Sequence, residues 1–432
     1  MTEFLDLLPP EVALARLLSH LPVQQPPLNP TWVEDCISDQ ALGRVTAEPV
    51  FAPHPLPTFP RSAVDGYAVR AADTYGASEG LPAYLNVMGE IPMGAVPKFD
   101  VKTGQCALIH TGGMLPEGAN AVVMVEYTQN VRSAHQESTE DNLQSRYIKT
   151  GEEVLHPVAV GENMLVMGED VATGQEVIPA GKRLRPADIG GLMALGITHL
   201  PVVRKPRVAI LSSGDEVVSS QVDLKPGQVR DVNSYTLKAL VEEAGGEPVL
   251  YGIIPDRPEI LKATAERALT ECDLLAVTAG SSASSRDLTS VVINKLGSPG
   301  VLVHGVNIRP GKPTILAVCN GKPAFGLPGN PVSALVIAKL FVVPVIQSLL
   351  GISRPKFQPS ILARLTINVA SQAGREDWIP VRLSLDEDGY LAEPVFGKSN
   401  LIFTLSRADG LVRISSDATG LNGGEIVSVV LL

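Results

Sequence analysis

The sequence is short of the residues on which several common chemistries depend. Cys36, Cys106, Cys272 and Cys319 are the only four cysteines in 432 residues, scattered, with no CxxC pair and no close histidine partner. That excludes a zinc ribbon or a disulfide framework and fits a reducing, cytoplasmic setting. Basic residues are outnumbered 35 to 46, for a net charge of −11. A nucleic-acid partner would demand a dominant basic face and is excluded. An anionic substrate must instead be drawn in by a local cationic cluster working against the global field. The first ten residues mix Glu3 and Asp6 into a short apolar stretch, unlike a secretory signal. The apolar run from Ser333 to Gly351 approaches bilayer length, but Lys339 and Pro344 interrupt it. The sequence therefore predicts a helix buried between protein layers of a soluble chain, with no membrane partner.

Several motifs are missing as well. Gly397-Lys398-Ser399 lacks the upstream glycine of a Walker A loop. No GxGxxG follows a strand, no GxSxG or HExxH occurs, and the seven histidines form no local pair at metal-ligand spacing. An ordinary NTPase, dehydrogenase, serine hydrolase or zinc enzyme is thereby excluded by motif.

What is present suits a large globular chain. Apolar residues make up 45% and charged ones 19%, and this length predicts two to four domains. Residues 11–20 have helical spacing, 22–30 are proline-rich, and 31–46 again look helical. From 50 to 175 short apolar runs alternate with Gly and Pro turns, a β-rich texture, with a polar excursion over 131–146. Next comes an alternation. Strands are expected at 207–211, 247–254, 273–278 and 301–306, and helices at 233–245, 257–270 and 287–296. Such alternation implies a mostly parallel sheet covered on both faces, with ligands bound outside the carboxyl ends of its strands. Residues 352–432 return to a β texture.

Four loops are expected at that carboxyl edge. Ser212-Ser213-Gly214-Asp215 offers hydroxyls and an amide for a phosphate or ribose, or is simply a tight strand-to-helix turn. The loop Thr278 to Asp287, with Gly280 and Ser282, lets backbone donors approach an anion; Asp287 either faces a cation there or caps a helix. In Arg309-Pro310-Gly311-Lys312-Pro313 two cations are held on a stiff loop, a planar fork and a point charge for an oxyanion. In Pro328-Gly329-Asn330-Pro331-Val332-Ser333, Asn330 is a helix N-cap and Pro331 a first helical residue, so free amides should face the same anion.

Together these loops resemble the molybdopterin molybdotransferase family, the enzymes of the last step of molybdenum-cofactor synthesis and the E domain of gephyrin. Pro60 to Val69 (PRSAVDGYAV) is similar to its PxSxMDGYAV and Thr111 to Val123 to its TGAxLPxGADAVV. Gly161-Glu162-Asn163 with Gly168-Glu169-Asp170 matches its GEN…GED, Gly326 to Ser333 is its GLPGNPVS, and Asp409-Gly410-Leu411 resembles its ANGL. There are departures. Its SGGVSVG is Thr278 to Ser284 here, the first lysine of its KPGKP is Arg309, and the basic residues before its GED are Leu165-Val166-Met167.

The resemblance implies an elongated homodimer of four-domain chains: a small linking domain (27–51 and 175–205), a β-rich arm (52–174), a three-layer α/β molybdopterin-binding domain (5–26 and 206–346) and a C-terminal β-barrel-like domain (347–432). It implies a transferase that joins molybdate to adenylylated molybdopterin with release of AMP, with Mg²⁺, and an association with the adenylylating enzyme of the same pathway. A scaffold or cofactor-carrier of the same fold, or a tungstate-using transferase, are the alternatives. The implied site comprises Asp65, Asp287 and Lys312 as catalytic groups, and Asp65, Asp170, Asp231 and Asp287 as magnesium ligands. Molybdate and the pterin substrate would meet Ser212, Ser213, Gly214, Asp215, Thr278, Gly280, Ser282, Arg309, Pro313, Pro328, Gly329, Asn330, Pro331, Ser333, Arg375 and Ser399.

Overall fold

The computed structural model describes residues 7–22, 30–131, 151–279, 283–352 and 360–432. The chain divides into two compact units, one of Met1–Glu48, Ala180–Ile189 and His199–Leu432, the other of Pro49–Pro179 and Gly190–Thr198.

The first unit is built on the alternating segment. Strands β1 (Arg207–Ser213), β2 (Glu247–Ile254), β3 (Leu274–Ala279), β4 (Pro299–His304), β6 (Ile315–Cys319) and β7 (Lys322–Pro328) form one sheet in the order β2-β1-β3-β7-β6-β4. The short β5 (Ile308–Arg309) stands apart from it. The β2, β1, β3 and β7 ladders are parallel, while β6 runs antiparallel to both neighbours. Alternation along β1 shows why two helical layers form. Val208 and Ile210 join a core with Ala13 and Leu17 of α1 (Pro10–Ser19), Leu237 and Val241 of α2 (Asn233–Ala244), and Phe341 and Ile346 of α5 (Pro331–Leu349). Ala209 and Leu211 face Leu261 and Ala265 of α3 (Pro258–Glu271) and Ile293 of α4 (Ala283–Asn294).

Helix α5 is the apolar run flagged in the sequence, and it alone among the described residues is long and apolar enough to cross a membrane. Its most apolar stretch is 61% buried inside the fold. Its turn Ala338–Val342 is π-helical just ahead of Pro344, which has no amide hydrogen to continue an α-helical ladder.

The tail closes on itself. Strands β8 (Ser360–Leu365), β9 (Glu376–Asp386), β10 (Gly389–Pro394), β11 (Gly410–Ile414) and β12 (Ile426–Leu431) pair as β9-β10-β8-β12-β11 and back to β9, a five-stranded barrel. Closure leaves no free edge among these five strands. Leu365, Val381, Ile414 and Val429 fill the interior. Strand β5 adds to β9 in parallel, Ile308 opposite Glu376 and Arg309 opposite Asp377, which ties the barrel to the loop between β4 and β6.

In the second unit a six-stranded sheet runs in the order Ala121–Met124, Gly66–Val69, Gln105–Ile109, Ala83–Ile91, Gly151–Val154, Thr128–Val131. Its two faces carry separate cores, Tyr67, Val69 and Val123 on one side and Ala68, Ile109 and Val122 on the other. Gly66 of the DGYAV motif is obligatory for packing: a Cβ there would lie 1.9 Å from the Val123 carbonyl oxygen.

Some local expectations are corrected. Residues 31–46 are not a helix. Val33–Ile37 is a strand paired residue for residue with His199–Val203, and Val45–Thr46 flanks the same strand. That partner is some 160 residues away, so local spacing gave no sign of it and tertiary pairing overrode it. Helix α4 starts at Ala283, four residues before the expected 287, so Asp287 lies within it and is not its cap. Most of the polar excursion at 131–146 lies outside the described residues.

Candidate functional site

Register brings three of the loops together. Ser212 stands opposite Thr278, Thr278 opposite Leu327, and Ala279 opposite Pro328, so the carboxyl ends of β1, β3 and β7 form one edge. The side chains there are largely engaged inside the protein. The Ser213 hydroxyl donates to Asp256 at 2.6 Å, and Thr278 Oγ1 lies 3.4 Å from Ser212 Oγ. The Asp256 amide donates to Asp215 at 3.2 Å, and Gly214 turns the chain with φ +152°. Gly280, Ser282 and the side chain of Asp287 lie outside the described residues.

A larger opening lies beside this edge. A cleft of about 1350 Å³ separates the α/β domain from the barrel and is lined by Arg309, Lys312, Pro313, Pro328, Asn330, Ser333, Arg375 and Ser399. Ser212, Ser213, Thr278 and Asp231 are not among its walls. The expected site is thus split into a cleft and an adjoining edge. Charge in the cleft opposes that of the chain: four cations, Arg309, Lys312, Arg375 and Lys398, face one carboxylate, Asp377, for a net +3. Such a local field draws anions despite the overall −11.

The cations are held differently. Arg375 Nε and Nη2 donate to the two oxygens of Asp377 at 2.9 and 3.3 Å, and Asp377 is only 1% exposed. Arg309 is 67% exposed with Nη1 4.0 Å from the same carboxylate. Lys312 is exposed and has no ion pair among the described residues. Its position follows from Gly311, whose φ of +112° favours glycine and whose added Cβ would meet Ile337 Cγ1 at 2.3 Å. The backbone therefore runs directly against α5, turning Lys312 out of the core.

At the start of α5 one expectation is reversed. Asn330 occupies the N-cap position without capping; its Nδ2 donates to Ser399 Oγ at 3.0 Å. The Val332 amide, expected to be free, donates to the Ser399 carbonyl at 3.0 Å. The barrel loop thus satisfies part of the helix terminus itself. Ser333 is buried in the cleft wall.

The acidic residues do not form a cage. Asp231 accepts the Ser234 amide at 3.1 Å at the head of α2, and the neighbouring Asn233 donates to the Gly329 carbonyl at 2.9 Å. In the second unit, Asp65 Oδ1 accepts both the Thr111 amide (2.7 Å) and hydroxyl (3.1 Å), and these bonds hold its carboxyl below the usual range. Asp170 is exposed and lines a separate 630 Å³ pocket with Phe59, Arg61 and Glu169. Among the described residues no three His, Cys, Asp or Glu side chains cluster as a metal site.

Comparison with known proteins agrees along the chain. The MoeA N-terminal region (domain I and II) matches residues 8–196, a "Probable molybdopterin binding domain" residues 209–348, and the MoeA C-terminal region (domain IV) residues 362–432. The molybdopterin molybdenumtransferase of Nostoc sp. is 34% identical over 397 residues, covering 91% of this chain and 87% of that protein. This chain belongs to the MoeA family. The Bacillus subtilis molybdopterin molybdenumtransferase is 33% identical over 91% of this chain and 88% of its own length. The crystal structure of the molybdopterin biosynthesis MoeA protein of Pyrococcus horikoshii superimposes with a TM-score of 0.80 at 32% identity, covering 99% and 100% of the two chains.

Within this MoeA fold, sequence reasoning missed Asp377, Lys398 and Asn233. Asp377 sits two residues after Arg375, the spacing of one face in an extended strand, and that spacing is the only sign of it in the sequence. Lys398 lies in Gly397-Lys398-Ser399, which lacks the upstream glycine of a phosphate loop and so carries no motif of its own. Nothing local pointed to Asn233, whose link to Gly329 spans 96 residues.

Proposed function

We propose that this MoeA-family chain is a molybdopterin molybdenumtransferase, joining molybdate to adenylylated molybdopterin with release of AMP. The observation that carries the reading is the net +3 cleft, with a lysine that has no ion pair among the described residues and an arginine fork beside the Pro328–Ser333 turn. Molybdate is a tetrahedral dianion. Arginine offers paired donors and lysine a point charge for it, and a rigid glycine–proline loop holds both in place before binding. Positioning and charge stabilisation dominate such a transfer, so the cleft needs no general base.

Magnesium fits the acidic residues as the partner of a phosphate, not as a caged ion. Mg²⁺ is commonly held by one or two carboxylates plus substrate phosphate oxygens and water. In the first unit Asp231, at the head of α2, is a hard oxygen donor of that kind, and in the second unit Asp65, kept ionised by Thr111, is another. Asp170 is a further exposed carboxylate of the second unit, and Asp287 is a further carboxylate of the first. When bound, the ion would neutralise phosphate charge and polarise the phosphoryl group. We also expect a cytoplasmic homodimer that meets the adenylylating enzyme of its pathway.

The test is AMP release from adenylylated molybdopterin by the purified protein with Mg²⁺ and either molybdate or tungstate. Oxyanion-dependent AMP release is expected, and the oxyanion giving the higher rate at low concentration identifies the substrate. No AMP with either oxyanion refutes the enzyme.

A further inference from the structure

The buried carboxylate of Asp377 is the group through which the cleft's two arginines meet. It accepts Arg375 Nε and Nη2, accepts the Ser371 hydroxyl at 3.0 Å, and lies 4.0 Å from Arg309 Nη1. Its strand position is fixed from both sides, since Asp377 pairs with Arg309 on β5 and with Ile414 on β11. A guanidinium carries five N–H donors, one on Nε and two on each terminal nitrogen. Asp377 takes the Nε donor and one from Nη2. The two donors of Nη1 and the second of Nη2 are left over, and they form the end-on fork that binds an oxyanion through two parallel hydrogen bonds.

We infer that Asp377 is a positioning residue for oxyanion binding. It locks the side edge of Arg375 so that the end-on edge faces the cleft. The inference deepens the transferase reading and rests on it only for the identity of the oxyanion. Charge alone makes the opposite prediction: a carboxylate in an anion site repels the ligand, so removing it should tighten binding. Orientation predicts that removing it weakens binding even as the net charge of the cleft rises from +3 to +4.

That difference in sign is the test. Molybdate and, separately, inorganic phosphate are titrated calorimetrically into the wild type, Asp377→Asn, Arg375→Ala and the double variant. With Asp377→Asn the dissociation constant is expected to rise by about tenfold or more, as loss of a bidentate pair should cause. In the Arg375→Ala background the same substitution should change it by less than about twofold, because coupled residues share one effect. Tighter or unchanged binding in Asp377→Asn, or an equal loss in both backgrounds, overturns the inference. Should Asp377→Asn fail to fold, Arg375→Lys keeps the charge and removes the fork. An affinity equal to wild type in that variant overturns it too. A wild type that binds phosphate but not molybdate would remove the transferase reading while leaving the comparison of variants intact with phosphate.

Discussion

Gly311→Ala tests whether the cation loop is held by backbone geometry. Gly311 has φ +112°, a region where a side chain costs about 1–3 kcal/mol. Its new Cβ would lie 2.3 Å from Ile337 Cγ1 and 2.4 Å from Cδ1. Ile337 is fully buried in the core of α5, so it has little room to yield. Overpacking of this kind costs about 1–3 kcal/mol, for a total of about 2–6 kcal/mol. The loop can escape most of that strain by lifting off α5, which carries Lys312 and Arg309 out of position. The expected result is a modest fall in melting temperature with at least about a tenfold loss of molybdate affinity, since 1.4 kcal/mol already corresponds to tenfold. Shortening the obstacle should help: in Gly311→Ala with Ile337→Ala the stability losses should fall short of their sum by about 1–3 kcal/mol, because the two residues share one contact. Thermal melts and calorimetric titration of all three variants provide the measurement. Wild-type molybdate affinity in Gly311→Ala, or strictly additive stabilities, would refute the account of the loop.

Lys312→Ala should weaken molybdate binding by about one to two orders of magnitude, because a unit charge near a dianion at a surface site contributes a few kcal/mol. Its melting temperature should match the wild type, since the side chain is exposed; unchanged affinity would place the oxyanion elsewhere. Asp65→Asn should leave the fold intact and raise the Mg²⁺ concentration needed for half-maximal AMP release; an identical magnesium dependence would remove Asp65 from the metal's contacts. Asp273 offers a stability test remote from the cleft. Burial alone would raise its pKa above 3.8, but two hydrogen bonds from Arg204 (2.7 and 2.8 Å) and one from the Arg207 amide outweigh it and lower the value. A depressed folded pKa means stability present above about pH 4 and lost as pH falls through the folded value. Asp273→Asn should therefore cost about 1–3 kcal/mol at pH 7, as losing charge-assisted hydrogen bonds at a half-buried site does, and flatten the acid limb of the stability profile. Parallel acid limbs for wild type and variant would count against that linkage.

Different parts of the protein were open to sequence reasoning to different degrees. The β1–β3 alternation and helices α2 and α3 were readable because each buries a continuous pattern within one window of chain. The Arg309–Lys312 loop and the Pro328–Ser333 turn were readable because their special residues, glycine and proline, carry local backbone constraints that few other segments need. The strand at Val33–Ile37 was not, because its hydrogen-bonding partner lies beyond any local window and its side-chain spacing suits a helix equally well. The antiparallel β6 likewise depends on which neighbours the sheet offers.

By itself the sequence determined the alternating α/β segment, the loops at its carboxyl edge, the chemistry of an oxyanion and the family motifs. Only the tertiary structure decided which of those groups share a space. Closing the barrel and adding β5 to β9 bring Arg375, Lys398 and Ser399 to the Arg309–Lys312 loop, while Ser213 is turned inward to Asp256. It also supplied Asp377, whose burial between two arginines depends on a strand pairing 68 positions apart in the chain. A local motif fixes what a side chain can bind; long-range pairing fixes what it faces, and the Arg309–Lys312 loop became one wall of a cleft only through that pairing.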